Sequence, residues 1–230
     1  MKQIAEKTSA TGTIEEYLEA VLNMASEGKK VLGARLAERL EVSPPTVTVT
    51  LQRMKRDGLI TTNDKEGVSL TGKGLKLALG TVRRHRLAER LLTDILKIPW
   101  HEVHQEACLL EHAISDRIAD RLYEVLGKPA TCPHGNPIPV DDVLPPIRGV
   151  PMDTVAAGSA VIVERISEEA NRMPELMEYF ERMGIKPGAT IIVKEVAEYA
   201  GMMTVSIGKK SPPLGTKAAA VVWVLPAPDR

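Results

Sequence analysis

Aromatic residues make up only 3% of this 230-residue chain, yet hydrophobic residues reach 43%. A folded core is therefore available and wholesale disorder is excluded. No apolar run approaches the roughly 20 residues of a membrane-spanning helix, and residues 1–11 (MKQIAEKTSAT) lack the apolar centre of a secretory signal. The expectation is a cytoplasmic protein of one to three small domains with no membrane partner. Only two cysteines occur, Cys108 and Cys132. Without an export signal they speak against a structural disulfide and leave packing, metal binding or redox chemistry. An excess of one charge is missing too, because 30 Lys and Arg balance 30 Asp and Glu, which excludes a uniformly basic coat for nucleic acid. Gly-rich phosphate loop, G-x-S-x-G elbow and H-E-x-x-H pair are all absent, and with them the commoner enzyme signatures.

A local charge bias does exist. Residues 29–56 carry seven basic side chains (Lys29, Lys30, Arg35, Arg39, Arg53, Lys55, Arg56) against Glu38 and Glu41. Thr13-Ile14-Glu15-Glu16 has the S/T-x-x-E form of a helix start, after which Tyr17, Leu18, Val21, Leu22 and Ala25 share one face as far as Gly28. Gly33 to Leu40 predicts a short helix with Leu32, Leu36, Ala37 and Leu40 inward. Ser43 can cap a third helix whose first turn holds Pro44 and Pro45 and whose buried stripe is Val47, Leu51 and Met54. Leu59 to Thr62 and Val68 to Thr71 alternate like strands around turn residues 63–67. Three helices and a hairpin make a winged helix-turn-helix over 1–75. Residues 76–128 predict a helical, dimerising layer, with a long helix through Leu96, a break at Ile98-Pro99, a helix to about Ile114 and another begun by Ser115. Seven of the sixteen prolines fall in 127–151, which predicts an extended tether over 129–151. Residues 152–230 predict a small β-barrel with strands at 159–166, 190–196, 204–207 and 218–225 and one helix from Pro174 to Met183. The fold class is thus mainly α with small β.

Two constellations carry chemistry. The third helix turns Thr46, Thr48, Thr50 and Gln52 away from its apolar stripe, and short hydroxyl and amide side chains suit base edges and phosphates. With the wing and the basic excess, double-stranded DNA becomes the expected partner, through Arg35, Ser43, Pro45, Thr46, Thr48, Val49, Arg53 and Arg56. The second constellation is His104, Cys108, Glu111 and His112, with Cys108 four residues after His104 and Glu111 and His112 three and four after Cys108, so that all can share one helical face. His85 and Glu89 lie four apart upstream. Singly, each has a bland reading as a core thiol or a solvated charge. Jointly, imidazole, thiol and carboxylate in one stripe point to a divalent metal. Glu16 and Glu19 can face a common point, although Glu16 also has the capping role. Cys132-Pro133-His134 is either a further thiolate and imidazole pair or a loop with one packed cysteine.

The order of parts, and the text Ala34-Arg35-Leu36-Ala37-Glu38-Arg39-Leu40, Ser43-Pro44-Pro45-Thr46-Val47-Thr48, His85-Arg86-Leu87-Ala88-Glu89-Arg90-Leu91-Leu92, Glu106-Ala107-Cys108 with Glu111-His112, and Gly135-Asn136-Pro137-Ile138-Pro139, resemble the diphtheria toxin repressor and manganese transport regulator family of metal-dependent repressors. The resemblance implies a homodimer with a primary metal site at Glu16, Cys108, Glu111 and His112. It also implies a second site, built from His85, Glu89 and His104 as in the iron-responsive branch or from Glu89 with Cys132 and His134 as in some manganese-responsive relatives. An SH3-like third domain would lend an acidic or amide ligand, with Glu168, Glu169 and Glu175 as candidates. The chain departs from both branches: the iron branch has methionine at the Glu16 position and the manganese branch has glutamate at the Cys108 position. Two ions per chain are expected, Mn(II) or Fe(II), with Co(II), Ni(II) or Zn(II) able to substitute. Metal would bridge the first helix to the 104–112 helix and set the two recognition helices of a dimer over a palindromic operator of metal-uptake genes. The rival classes are a metalloenzyme and a regulator with a purely structural zinc.

Overall fold

The computed structural model describes residues 2–228, with side chains from Thr13 onward. Helix α1 (Lys2–Ser26) starts well before the Thr13 position. Thr13 is therefore inside the helix and does not cap it. The S/T-x-x-E pattern cannot separate a helix start from a helix interior, and here the interior reading is the right one. Tyr17, Leu18, Val21 and Leu22 are buried as expected, joined by Ala20 and Met24, whereas Ala25 faces solvent.

Helix α2 (Gly33–Leu40) and helix α3 (Pro44–Arg56) have the predicted boundaries. Ser43 accepts a hydrogen bond from the Thr46 backbone N–H, and the two prolines occupy the first turn, where a missing donor costs little. The turn between the helices passes through Glu41 at φ 54°, and its N–H closes on the Ala37 and Glu38 carbonyls. Leu32 lies outside α2 and is exposed, contrary to its expected inward position, because it precedes the first helical turn. Strands β1 (Ile60–Asn63) and β2 (Gly67–Leu70) pair antiparallel as the wing. Their inner residues Ile60 and Val68 join α1 to α3 in one apolar core, with Leu36, Val47 and Met54 at its centre.

Helix α4 (Gly72–Arg90) is capped by Thr71 and runs into a π-helical turn, Leu91–Ile95, that begins two residues after Glu89. Helix α5 (Val103–Leu110) runs into a 3₁₀ turn at Glu111–Ala113, and helix α6 (Asp116–Val125) follows its cap Ser115. A second core joins Leu87, Val103, Ala107, Ile114 and Ala119. Leu109, Ile118 and Val125 on α5 and α6 stay exposed. Among the described residues no helix is long and apolar enough to cross a membrane.

The C-terminal part is a six-stranded antiparallel sheet in the order β3-β8-β4-β5-β6-β7. Its strands are β3 (Val150–Pro151), β4 (Ala160–Ile166), β5 (Thr190–Ala197), β6 (Met202–Ser206), β7 (Pro213–Gly215) and β8 (Val222–Pro226), with helix α7 (Pro174–Met183) and the short helix α8 (Thr216–Ala219). The expected strand over 218–225 thus begins with a helical turn, and β3 and β7 are additional. Phe180, Met177, Val163, Ile191 and Val205 fill the third core. The register of β4 against β8 shifts between Val163 and Arg165, so that Arg165 and Ile166 are both buried at the strand's end.

Residues 131–140 of the proline-rich segment form a packed wall and not an extended tether, whereas residues 141–149 are largely exposed and carry neither helix nor strand. Cys132, His134, Asn136 and Ile138 are buried. Trp100 donates its indole N–H to the Pro133 carbonyl at 2.9 Å, and Ile166 N–H donates to the His134 carbonyl at 2.8 Å. Proline content reports missing N–H donors, and donors from elsewhere in the fold satisfy the segment's carbonyls here. Gly135, at φ +87°, lies so close to β4 that a Cβ would stand 2.3 Å from the Glu164 carbonyl oxygen.

Candidate metal centre and nucleic-acid interface

Helix α4 lies between α1 and α5, and the four-residue spacing of His85 and Glu89 turns both into that seam, where each is fully buried. His85 Nδ1 stands 2.6 Å from Glu111 Oε2, and its Nε2 stands 3.1 Å from His104 Nδ1 and 3.3 Å from Glu89 Oε1. Cys108 Sγ is 3.7 Å from His104 Nε2, one helical turn away on α5. The packed wall brings in His134, whose Nδ1 lies 3.1 Å from Glu89 Oε1, while its other nitrogen faces the Trp100 carbonyl.

Among the described residues four groups of donor atoms are close enough to hold an ion: His85 with His104 and Cys108; His85, Glu89 and His104 with Glu168; Glu89 with Cys132 and His134; and Glu19 with His85 and Glu111. The two alternative second sites read from the sequence are therefore neighbours that share Glu89. Of the three acidic candidates from the C-terminal domain, Glu168 is the one in a group. Its Oε2 lies 3.9 Å from His104 Nδ1, and Arg86 and Asn171 also hold it.

Glu16 and His112 belong to none of these groups. His112 Nδ1 instead pairs with Glu15 Oε2 at 2.9 Å, and Nε2 is 3.5 Å from Glu111 Oε1. Glu15 was not singled out by spacing, and its place beside Glu16 on an acidic helix gives no separate signal. Glu16 is exposed, although partial burial raises its carboxyl pKa, with the His112 charge opposing and Glu111 adding to the rise.

The electrostatics suit a cation. Burial pushes the carboxyl of Glu89 up, but the charges of His134 and His85 outweigh it and hold the group well below the usual carboxylate range. Its second oxygen, Oε2, is buried with no hydrogen-bond partner, an unfilled acceptor on the residue that two of these groups share. For His104, burial lowers the pKa, but hydrogen bonds to Cys108 and Glu89 push it up to about 10. For His134, burial again lowers it, and the Glu89 charge with the Cys132 hydrogen bond raises it to about 10. The Cys108 thiol is lowered despite its burial, through hydrogen bonds to His104 and His85. Three imidazoles, a lowered thiol and buried carboxylates fit a divalent ion, and both cysteines are free to act as ligands.

On the far side of the winged helix, Arg35, Ser43, Pro45, Thr46, Thr48, Val49, Arg53 and Arg56 are all exposed, Val49 at 67%. The hydroxyls of Thr48 and Thr50 point back, donating at 3.0 Å to the Pro44 and Thr46 carbonyls. What α3 presents outward at those positions is the methyl and the acceptor lone pairs, not a free O–H.

A winged helix beside a buried cluster of metal donors and a helical layer with exposed apolar positions defines a metal-responsive DNA-binding protein. Residues 10–68 match the family described as iron dependent repressor, N-terminal DNA binding domain, and residues 71–140 match its metal binding and dimerisation domain. Residues 150–226 match the FeoA domain. The chain is 41% identical over 192 residues to the iron-dependent repressor IdeR of Mycobacterium tuberculosis, covering 79% of this chain and 84% of that protein. It is 47% identical over 132 residues to the diphtheria toxin repressor of Corynebacterium diphtheriae, covering 57% and 58%. A solved manganese-dependent transcriptional repressor in complex with manganese superposes with a TM-score of 0.85 at 35% identity, over 93% of this chain and 100% of that one. The chain belongs to the diphtheria toxin repressor family of metal-dependent transcriptional repressors. It is a DNA-binding regulator with a dimerisation domain and not an enzyme.

Proposed function

We propose that this protein is a homodimeric repressor that binds a palindromic operator of metal-uptake genes in the cytoplasm when loaded with Mn(II) or Fe(II), at two ions per chain. The observation that carries this reading is Glu89 Oε2, buried and unpartnered where donor groups from α4, α5, the proline-rich wall and the C-terminal domain meet. One ion fits the group around Glu89, drawing on His85, His104, Cys132, His134 and Glu168. A second would be held by Cys108, Glu111, His112 and Glu16, with Glu19 beside them, once α1 closes on the Glu111 turn. The carboxylates admit Mn(II), and the thiolate favours Fe(II), Co(II) or Zn(II). Exposed Leu109, Ile118 and Val125 supply an apolar face for the second subunit. In the dimer the two α3 helices would lie about 34 Å apart, one DNA turn.

The test measures metal content and DNA affinity together, anaerobically, across Mn(II), Fe(II), Co(II) and Zn(II). Two ions per chain and an affinity that rises with Mn(II) or Fe(II) are expected. An affinity indifferent to metal supply, with one ion held too tightly to remove, would instead make the metal structural.

A further inference from the structure

The cores of the winged helix and of the C-terminal sheet share no buried apolar residue. What joins the two domains is charge. Glu27 directly follows α1 and its side chain is almost wholly buried; its Oε1 accepts from Arg165 Nη2 at 3.0 Å and from the Ser167 hydroxyl at 2.7 Å. Lys29 reaches Glu27 at 2.9 Å and Glu169 at 2.6 Å. Arg172 reaches Glu41, the left-handed residue of the helix-turn-helix turn, at 3.7 Å. Beside these pairs the seam opens into a cavity of about 250 Å³ lined by Lys29, Arg35, Arg39, Glu169 and Arg172 among others, so polar clasps and not continuous packing join the winged helix to the C-terminal domain, whereas Ala78, Leu79 and Val82 of α4 are part of the winged-helix core.

Every clasp residue on the C-terminal side lies within 165–172, and Glu168 sits in the middle of that run. Ser167 and Glu169, its two neighbours, hold Glu27 and Lys29, while the Glu168 carboxylate lies among His85, Glu89 and His104. An ion that draws Glu168 inward must move Ser167 and Glu169 through the backbone, and with them the end of α1. Buried ion pairs add little net stability but fix geometry, which suits an element with two arrangements of similar energy.

We propose that Glu27 and Arg165, with Ser167 and Glu169, are positioning residues that transmit occupancy of the buried donor cluster to the winged helix. They bind neither metal nor DNA; they set the orientation in which α3 is offered. The inference rests on metal-dependent DNA binding.

The experiment uses the full chain and a duplex selected by the Mn(II)-loaded wild type from a random pool. DNA affinity is measured with Mn(II) and with chelator, Mn(II) stoichiometry by electron paramagnetic resonance, and folding by thermal melt. Glu27→Gln should keep the wild-type Mn(II) stoichiometry while the factor by which Mn(II) raises DNA affinity shrinks about tenfold. Glu169→Gln, in the half-exposed outer pair, should shrink it by roughly threefold, whereas Glu169→Asp should restore it. Loss of bound Mn(II) in Glu27→Gln, or a factor unchanged in both glutamine variants, overturns the proposal. If Glu27→Gln does not fold, an unchanged factor in Glu169→Gln overturns it alone. A wild type indifferent to Mn(II) would remove the functional reading itself, an outcome the variants are not needed to recognise.

Discussion

The Glu89 end and the His112 end of the donor array use the same residue types in opposite surroundings. Glu89, His85 and His134 are buried, mutually hydrogen bonded and held from three directions by α4, α5 and the proline-rich wall. His112 is a quarter exposed and occupied with Glu15, while Glu16 faces solvent one residue along α1. The first end is assembled by folding, so an ion entering it finds its ligands in place. At the second end Glu16 and His112 lie in none of those donor groups, so under the proposed function an ion there must first rearrange α1 side chains or α1 itself, and an ion that rearranges its site is the one that can do conformational work.

The largest expected effect comes from breaking the buried end. Glu89→Gln removes the buried carboxylate that His85, His104 and His134 share and leaves His134 without an anionic partner among its hydrogen bonds, so the metal-free protein should lose about 3–5 kcal/mol by thermal or denaturant unfolding. Its metal content should fall by one ion per chain. Undiminished metal content would mean that the buried group is a structural ion-pair network and not a site.

The pH dependence separates the two ends next. The unfolded-state value of a histidine is about 6.5, and folding raises His104 and His134 to about 10. Their stabilising contribution is therefore complete below about 6.5 and is lost as pH rises through 10, so the melting temperature of the metal-free protein should fall over that window. Metal must displace these protons, and its affinity should rise with pH, about tenfold per unit for each proton released. An affinity flat from pH 6.5 to 8.5 would contradict protonated histidines in the buried group.

Replacing Thr46 and Thr48 by Ala touches neither end. Specific DNA binding should weaken by about 1–3 kcal/mol per lost base contact, with metal stoichiometry and dimerisation unchanged. Added salt should weaken binding steeply, through Lys and Arg contacts to phosphate. If anisotropy titrations find the double variant equal to the wild type, α3 is not the reading helix.

The smallest change in stability belongs to His112→Ala. Its exposed pairing with Glu15 is worth at most about 1 kcal/mol, so the variant should melt close to the wild type. Yet its DNA affinity should no longer rise with metal. Retained metal activation would shift the conformational role to the Glu89 end and erase the distinction between the two.

The parts of the molecule legible in the sequence are those governed by local chemistry. Ser43 with two following prolines, Ser115 before α6 and the alternation around residues 63–67 are decided within a few residues, and so is the helical spacing that placed His104 beside Cys108. What sequence could not reveal depends on distant partners. The burial of Cys132 and His134 rests on Trp100 and Ile166, more than thirty residues away on either side. Glu168 was one of three equivalent acids until the fold carried it to His104. The α1 start failed for a different reason, since a motif for capping is also an ordinary stretch of helix.

The close approach of Gly135 to β4 bears on time more than on affinity. With no side chain at 135, the wall segment lies flat against Glu164 and Arg165, and the Asn136 amide donates to the Ile166 carbonyl at 3.0 Å. The C-terminal sheet thereby backs the wall segment that carries His134 to Glu89. The lifetime of an ion bound by Glu89 and His134 is then expected to depend on how often the sheet lifts from the wall as well as on how strongly each ligand binds. A Gly135→Ala protein, unable to close that contact, should release its buried ion faster in a chelator chase while still binding it.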